Sequence, residues 1–240
     1  MPEDERPPAP DHLTLLACGE VEILGRLPWS SNRTYLANCT IDGCELAGVY
    51  KPGRGERPLW DFGDNLWRRE VAAYELSASG GWDLVPETVA RDEGPLGPGS
   101  MQRFVPSHFE QHYFTMLDEE EHYDELRTIC AFDVVANNAD RKSGHCLAGE
   151  DGVIWGIDNG LCFHRDPKLR TVIWEFAGDE LPEKARAALE KTCAGLPKSL
   201  RSLLAREEID AIRRRAERLL ERGTLPDLPS DGPRYPWPLV

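Results

Sequence analysis

The 240-residue chain has no apolar run near the ~20 residues that a membrane-spanning helix needs, and its seven cysteines show no CxxC spacing. Its first residues, MPEDERPPAPDH, lack the basic start and apolar middle of a secretory signal. There is no internal repeat, no long low-complexity linker, no polybasic anchor and no cysteine cluster suited to palmitoylation. Basic side chains are scarce, 28 Lys and Arg against 42 Asp and Glu, for a formal charge of −14. A disulfide framework and a zinc ribbon are thereby excluded, and the cysteines are expected to be reduced and mostly buried. Long-range repulsion argues against nucleic acid and against stable binding to anionic membranes. A folded protein of the cytoplasm is the expectation.

What is present has a clear order. Residues 34–51 hold two strand-like runs around Asp42-Gly43, a dipeptide suited to the positive φ angles of a tight hairpin. Alternation on the second run puts Ala47, Val49 and Lys51 on one face. A helix is expected over 65–77, capped by Gly63 or Asp64 and stopped by Gly80-Gly81, with Leu66, Trp67, Val71 and Tyr74 facing the core. Apolar stretches at 85–90 and 101–105 read as two more strands. From Tyr123, helical spacing of Leu126, Ile129, Cys130 and Val134 leads into NNADRKSGHC, a polar segment expected outside the core. Residues 146–148 and 153–157 flank a GEDG turn as a hairpin that ends in Asp158-Asn159-Gly160. Helices follow at 182–194 and 207–222, and the Arg213–Arg215 run reads as a solvated face among glutamates. Prolines at both ends mark 1–12 and 224–240 as tails.

A hairpin that follows a polar loop folds the chain back, so Asp140 and Asp158 can share one cleft. Phosphoryl transfer from ATP needs a cation on the phosphates, oxygen ligands for a metal and a group that positions the acceptor hydroxyl. Lys51, Asp158 and Asp140 supply that inventory. Arg141 is open between neutralising a phosphate and forming a structural ion pair. His145, Cys146, Cys162 and His164 have the residue types of a zinc site without its usual spacing.

The segments GVYKP, RREVAAYEL, DLVPETVA, GSMQRFV, NNADRKSGHCL and IWGIDNGLCF, in that order, resemble the phosphatidylinositol 3- and 4-kinase-like superfamily, above all type II phosphatidylinositol 4-kinases and their bacterial relatives. The resemblance spans about residues 25–163 and implies an α+β, protein-kinase-like two-lobed fold, with a small antiparallel sheet lobe and a reduced, mainly helical C-terminal lobe. It implies a nucleotide-binding lobe at 13–105 and a catalytic lobe at 106–223. Lys51 would pair with Glu70 and hold ATP phosphates, with Val49 on the same strand face. Backbone groups of Gln102, Arg103, Phe104 and Val105 would hold adenine, Asp140 would orient the acceptor, and Arg141 beside it would be a catalytic residue. Asp158 would bind magnesium or manganese.

Two departures stand out. GRLPWSSNRTYL lacks GxGxxG, leaving Ser30, Ser31 and Asn32 as the small polar residues whose amides could approach phosphate. Five residues after Asp140, where related loops place a metal-binding asparagine, this chain has His145. An imidazole there favours manganese over magnesium, or else touches a phosphate or the acceptor. The expected activity is ATP-dependent transfer to a hydroxyl of a soluble small molecule or protein. The alternatives are a nucleotide-binding pseudokinase and a metal-stabilised scaffold.

Overall fold

A computed structural model describes the protein at residues 9–28, 32–108 and 110–240. The chain divides into two compact units, 1–57 with 87–104 and 58–86 with 105–240.

The first unit is built on five antiparallel strands. Helix α1 (His12–Cys18) is capped by Asp11, whose carboxylate accepts from the Thr14 amide at 2.8 Å. Strands β1 (Glu20–Arg26), β2 (Tyr35–Ile41), β3 (Cys44–Pro52), β4 (Thr88–Arg91) and β5 (Gly99–Arg103) lie in the order β1-β2-β3-β5-β4. The expected hairpin forms: Ile41 pairs with Cys44, and Asp42 and Gly43 have φ of 49° and 81°. On one face Leu16 of α1 packs with Ala37, Cys39, Tyr50 and Met101. Lys51, one residue from Tyr50, is on the other face, opposite Ser100.

The second unit contains helix α2 (Trp67–Gly80), which the sequence reading assigns to the first lobe. Neither Gly63 nor Asp64 caps it: Leu66 is the N-cap residue, because Asn65 turns left-handed with φ 65°. Gly81, at φ 70°, ends it. Residues 85–87, expected in a strand, lie outside it. The amides of Leu84 and Val85 donate to the Ser77 hydroxyl at 3.1 and 3.2 Å, which ties this stretch to α2. Short helix α3 (Tyr113–Met116) precedes α4 (Tyr123–Ala136), and a small hairpin of β6 (Cys146–Ala148) and β7 (Ile154–Gly156) follows. Helices α5 (Glu183–Ala194), α6 (Leu200–Leu203) and α7 (Arg206–Arg222) complete the body: α5 and α6 pack on α2, and α7 packs on α4 and α5.

Two surface assignments change. Arg215 turns inward, donating to the carbonyls of Val135 at 2.8 Å and His164 at 3.3 Å, and burial pulls its guanidinium down to about 10. Arg213 and Arg214 remain exposed. The proline-rich end has no helix, yet it is docked. Leu225 is fully buried, and its amide donates to Asp179 at 2.8 Å. Among the described residues, no helix is long and apolar enough to cross a membrane.

Candidate active site

Helix α4 ends at Asn137 in the left-handed region (φ 53°), a conformation that asparagine tolerates. The Asn137 side chain then fastens the 164–168 segment, donating to His164 O and Asp166 O at 2.8 and 2.7 Å and accepting from Lys168 N at 2.8 Å. Asn138 bridges backward to Asp133 at 3.1 Å and accepts from the Asp140 amide at 2.9 Å. The loop expected outside the core is therefore inside it: Asn138, Arg141 and Ser143 have no exposed surface. Their polar atoms are accommodated because they are paired.

Arg141 resolves toward the structural alternative. Its guanidinium donates to Asp133 from Nε at 3.0 Å and from Nη2 at 2.9 Å, and to Asn159 Oδ1 at 2.7 Å and Ile157 O at 2.6 Å. Burial opposes its charge, yet Asp133 holds its pKa above the ordinary value. The assignment of Arg141 to a phosphate as a catalytic residue is corrected: fully buried, it positions the loop and the Asp158 turn together.

That clamp brings Asp140, His145 and Asp158 into one neighbourhood. Burial pushes the Asp140 carboxyl up to about 6; Lys142 pulls it down from 3.4 Å, and the charge of Asp158 raises it. His145 joins the two aspartates. Its Nδ1 is 3.0 Å from the Asp140 carbonyl oxygen, and its Nε2 is 3.3 Å from Asp158 Oδ2. Asp158 leaves the hairpin at φ 57°, with its side chain about half exposed. Glu70 of α2 is buried and accepts the Asn159 amide at 2.9 Å, so the turn after β7 is also anchored to α2. A Cβ on Gly160 would stand 3.3 Å from Glu70 Oε1, which makes glycine the residue that fits this approach.

Lys51 belongs to the first unit and Glu70 to the second. Near Lys51, Val49 pairs with Gln102, whose side-chain amide donates to Thr88 Oγ1 at 2.8 Å. The Arg103 and Phe104 amides already donate to Glu87 O at 2.7 Å and Ala47 O at 2.9 Å, so as base-binding residues they retain carbonyls rather than N–H donors. Val105 opens the next stretch of the second unit. Asn32 Oδ1 accepts from the Arg57 amide at 3.0 Å; Ser30 and Ser31 lie outside the described residues.

Two carboxylates that repel one another beside an imidazole nitrogen form a donor set that fits a divalent cation, whose charge would relieve the repulsion. A tighter trio among the described residues, with ligand atoms within 4.8 Å of one another, is the exposed Glu119 and Glu121 with the half-buried His122, and exposed acidic groups are common without an ion. Asp133, Asn138, Lys142 and Asn159 had no individual role in the sequence reading. Asn138 and Asn159 were within reach of it, as neighbours of the two aspartates.

The fold is two-lobed and kinase-like. A solved structure of hydra Fam20 with sugar matches it with a TM-score of 0.51 at 14% identity, covering 87% of this chain and 86% of that one. The Helicobacter pylori proinflammatory kinase CtkA matches with a TM-score of 0.47 at 12% identity, over 88% and 94% of the two chains. No sequence-family profile matches. Protein Rv2133c of Mycobacterium tuberculosis is 40% identical over an alignment of 266 positions that covers 95% of each protein. The chain therefore belongs to the family of Protein Rv2133c.

Proposed function

We propose that the protein is an ATP-dependent phosphotransferase of the phosphatidylinositol 3- and 4-kinase-like type, acting in the cytoplasm on a hydroxyl of a soluble small molecule or protein. The observation that carries this reading is the convergence of Asp140 and Asp158 through His145, on a loop that Arg141 and Asn138 hold from beneath. Asp140 accepts the acceptor's proton as its oxygen attacks the γ-phosphorus; the bond to the bridging oxygen breaks and ADP leaves. Lys142 keeps the Asp140 carboxylate charged and oriented. Glu70 fixes the Asn159 turn, and with it Asp158. A magnesium or manganese ion on Asp158 and His145 would neutralise phosphate charge. Lys51 is assigned the phosphates on the order of motifs.

The net charge of −14 supports a soluble acceptor over an anionic membrane. His145, in place of an asparagine, favours the pseudokinase as the second reading. Labelled ATP with magnesium or manganese, incubated with fractionated metabolite and protein extracts, tests both. Label should reach an acceptor with the wild type and not with Asp158→Ala. Binding of ATP with no acceptor labelled and no ADP formed would favour the pseudokinase, and absence of ATP binding would overturn both.

A further inference from the structure

The first unit holds a cavity of about 460 Å³ that the phosphotransfer reading does not use. Arg33, Tyr35, Pro52, Arg54, Pro95 and Leu96 line it. It opens on the face of β3 opposite Lys51: Pro52 and Tyr50 share that face, and Tyr35 stands directly across from Tyr50 on β2.

Backbone contacts fix the segments that carry the two arginines. The Arg33 amide donates to Gly55 O at 3.1 Å, and a Cβ on Gly55 would lie 2.6 Å from Arg33 Cβ, so only glycine allows this approach. The Arg57 amide is tied to Asn32 at 3.0 Å, and Gly53 N donates to Pro98 O at 2.8 Å. Arg54 Cδ rests 3.6 Å from where a Cβ of Gly97 would be, and Gly97 has φ 100°, a conformation glycine adopts readily. Its carbonyl accepts from the Tyr50 hydroxyl. Among the described residues, no carboxylate bridges either guanidinium. Both arginines are exposed, so their guanidinium groups are open to a ligand from solvent.

The geometry points to a binding site for a small organic molecule bearing a phosphate group. Two guanidinium forks supply paired N–H donors for phosphate oxygens, while the Tyr35 ring, Pro52, Pro95 and Leu96 form an apolar wall for the organic part. The cavity volume is in the range of small-ligand pockets. The excess negative charge of the chain disfavours loose anion binding elsewhere, so recognition requires these two forks.

Calorimetric titration of the full chain with phenyl phosphate and with inorganic phosphate, without ATP or metal, tests the site. Phenyl phosphate should bind saturably and more tightly than inorganic phosphate. Arg33→Ala/Arg54→Ala should weaken it at least about tenfold, the loss expected of one or more charge-assisted hydrogen bonds. Arg33→Lys/Arg54→Lys should fall between that variant and the wild type, and Lys51→Ala should bind as the wild type does. The inference is overturned if the double alanine variant binds phenyl phosphate undiminished, if Lys51→Ala abolishes binding, or if the wild type shows no saturable binding. None of these outcomes depends on whether the protein turns over ATP.

Discussion

Arg141 Nη2 and Asp133 Oδ1 are 2.9 Å apart, and neither side chain is exposed to solvent. The pair links α4 to the loop that carries Asp140, and through Asn159 it reaches the turn that carries Asp158. Removing one partner leaves the other buried and uncompensated, at a cost of about 3–5 kcal/mol. Asp133→Asn and Arg141→Met should each lower the unfolding free energy measured in urea by that amount. Asp133→Leu/Arg141→Met should recover much of the stability. A single variant as stable as the wild type would show that the pair does not hold the loop.

The environment of His145 predicts its metal preference. The Asp140 carbonyl at 3.0 Å calls for a proton on Nδ1, although the Lys142 amide also approaches that nitrogen at 3.4 Å. Nε2 faces the Asp158 carboxylate at 3.3 Å, so a cation held there would take one nitrogen and one oxygen ligand. A nitrogen ligand suits manganese better than magnesium. His145→Asn should raise magnesium-supported turnover relative to manganese-supported turnover. An unchanged ratio would place His145 on phosphate or acceptor instead.

Asp140, Asp158 and the Asp42-Gly43 hairpin were legible because each ends an apolar element or matches a turn chemistry. Asp133 was hidden because it interrupts the apolar run of α4, and its partner is eight residues ahead across a turn. NNADRKS looks solvated because pattern alone does not show that Asn138 and Arg141 share Asp133 while the Ser143 hydroxyl meets His112. Helix α1 and strand β1 carry short, weak signals, although Val21 and Ile23 alternate as a strand requires. Arg215 was read with its neighbours, though it points toward the end of α4 rather than to water.

The raised pKa of Asp140 gives two effects of opposite sign. In its proposed role as proton acceptor it must be ionised, so kcat/KM should fall about tenfold per pH unit below about 6, the value set by burial. Because its folded pKa is above the unfolded value, ionisation destabilises the fold. The favourable contribution is complete below 3.8 and is lost as pH rises through about 6. Asp140→Asn should therefore be inactive yet more stable than the wild type at pH about 8, by an amount of order 2 kcal/mol, with the advantage vanishing near pH about 4. Thermal melts of both proteins across pH measure it. An Asn variant less stable at every pH would contradict the burial argument.

The docked C-terminal segment predicts a loss of chemistry separable from nucleotide binding. The Ser143 amide donates to Leu239 O at 2.8 Å, three residues beyond Asp140. Arg234 O accepts from both the Thr171 amide at 3.2 Å and the Trp174 indole at 2.9 Å. Thr171 lies within the strip that pairs with the loop: Arg141 N donates to Arg170 O and Val172 N to Arg141 O, at 3.1 and 3.0 Å. Deleting 234–240 removes these acceptors while leaving Leu225 in the core. The Ser143 and Thr171 amides, buried in the intact chain, would then exchange with solvent faster, and the loop would lose its fixed position relative to Asp158. A misplacement of about 1 Å can lower turnover a hundredfold, whereas ATP affinity should change little because the deleted residues supply no group assigned to phosphate or base. Hydrogen exchange at 138–145, kcat and ATP affinity, measured on the truncated and full chains, separate the two effects. Faster exchange with kcat unchanged would show that Asp140 does not depend on this strap, and equal loss of affinity and turnover would show that the segment acts on the nucleotide.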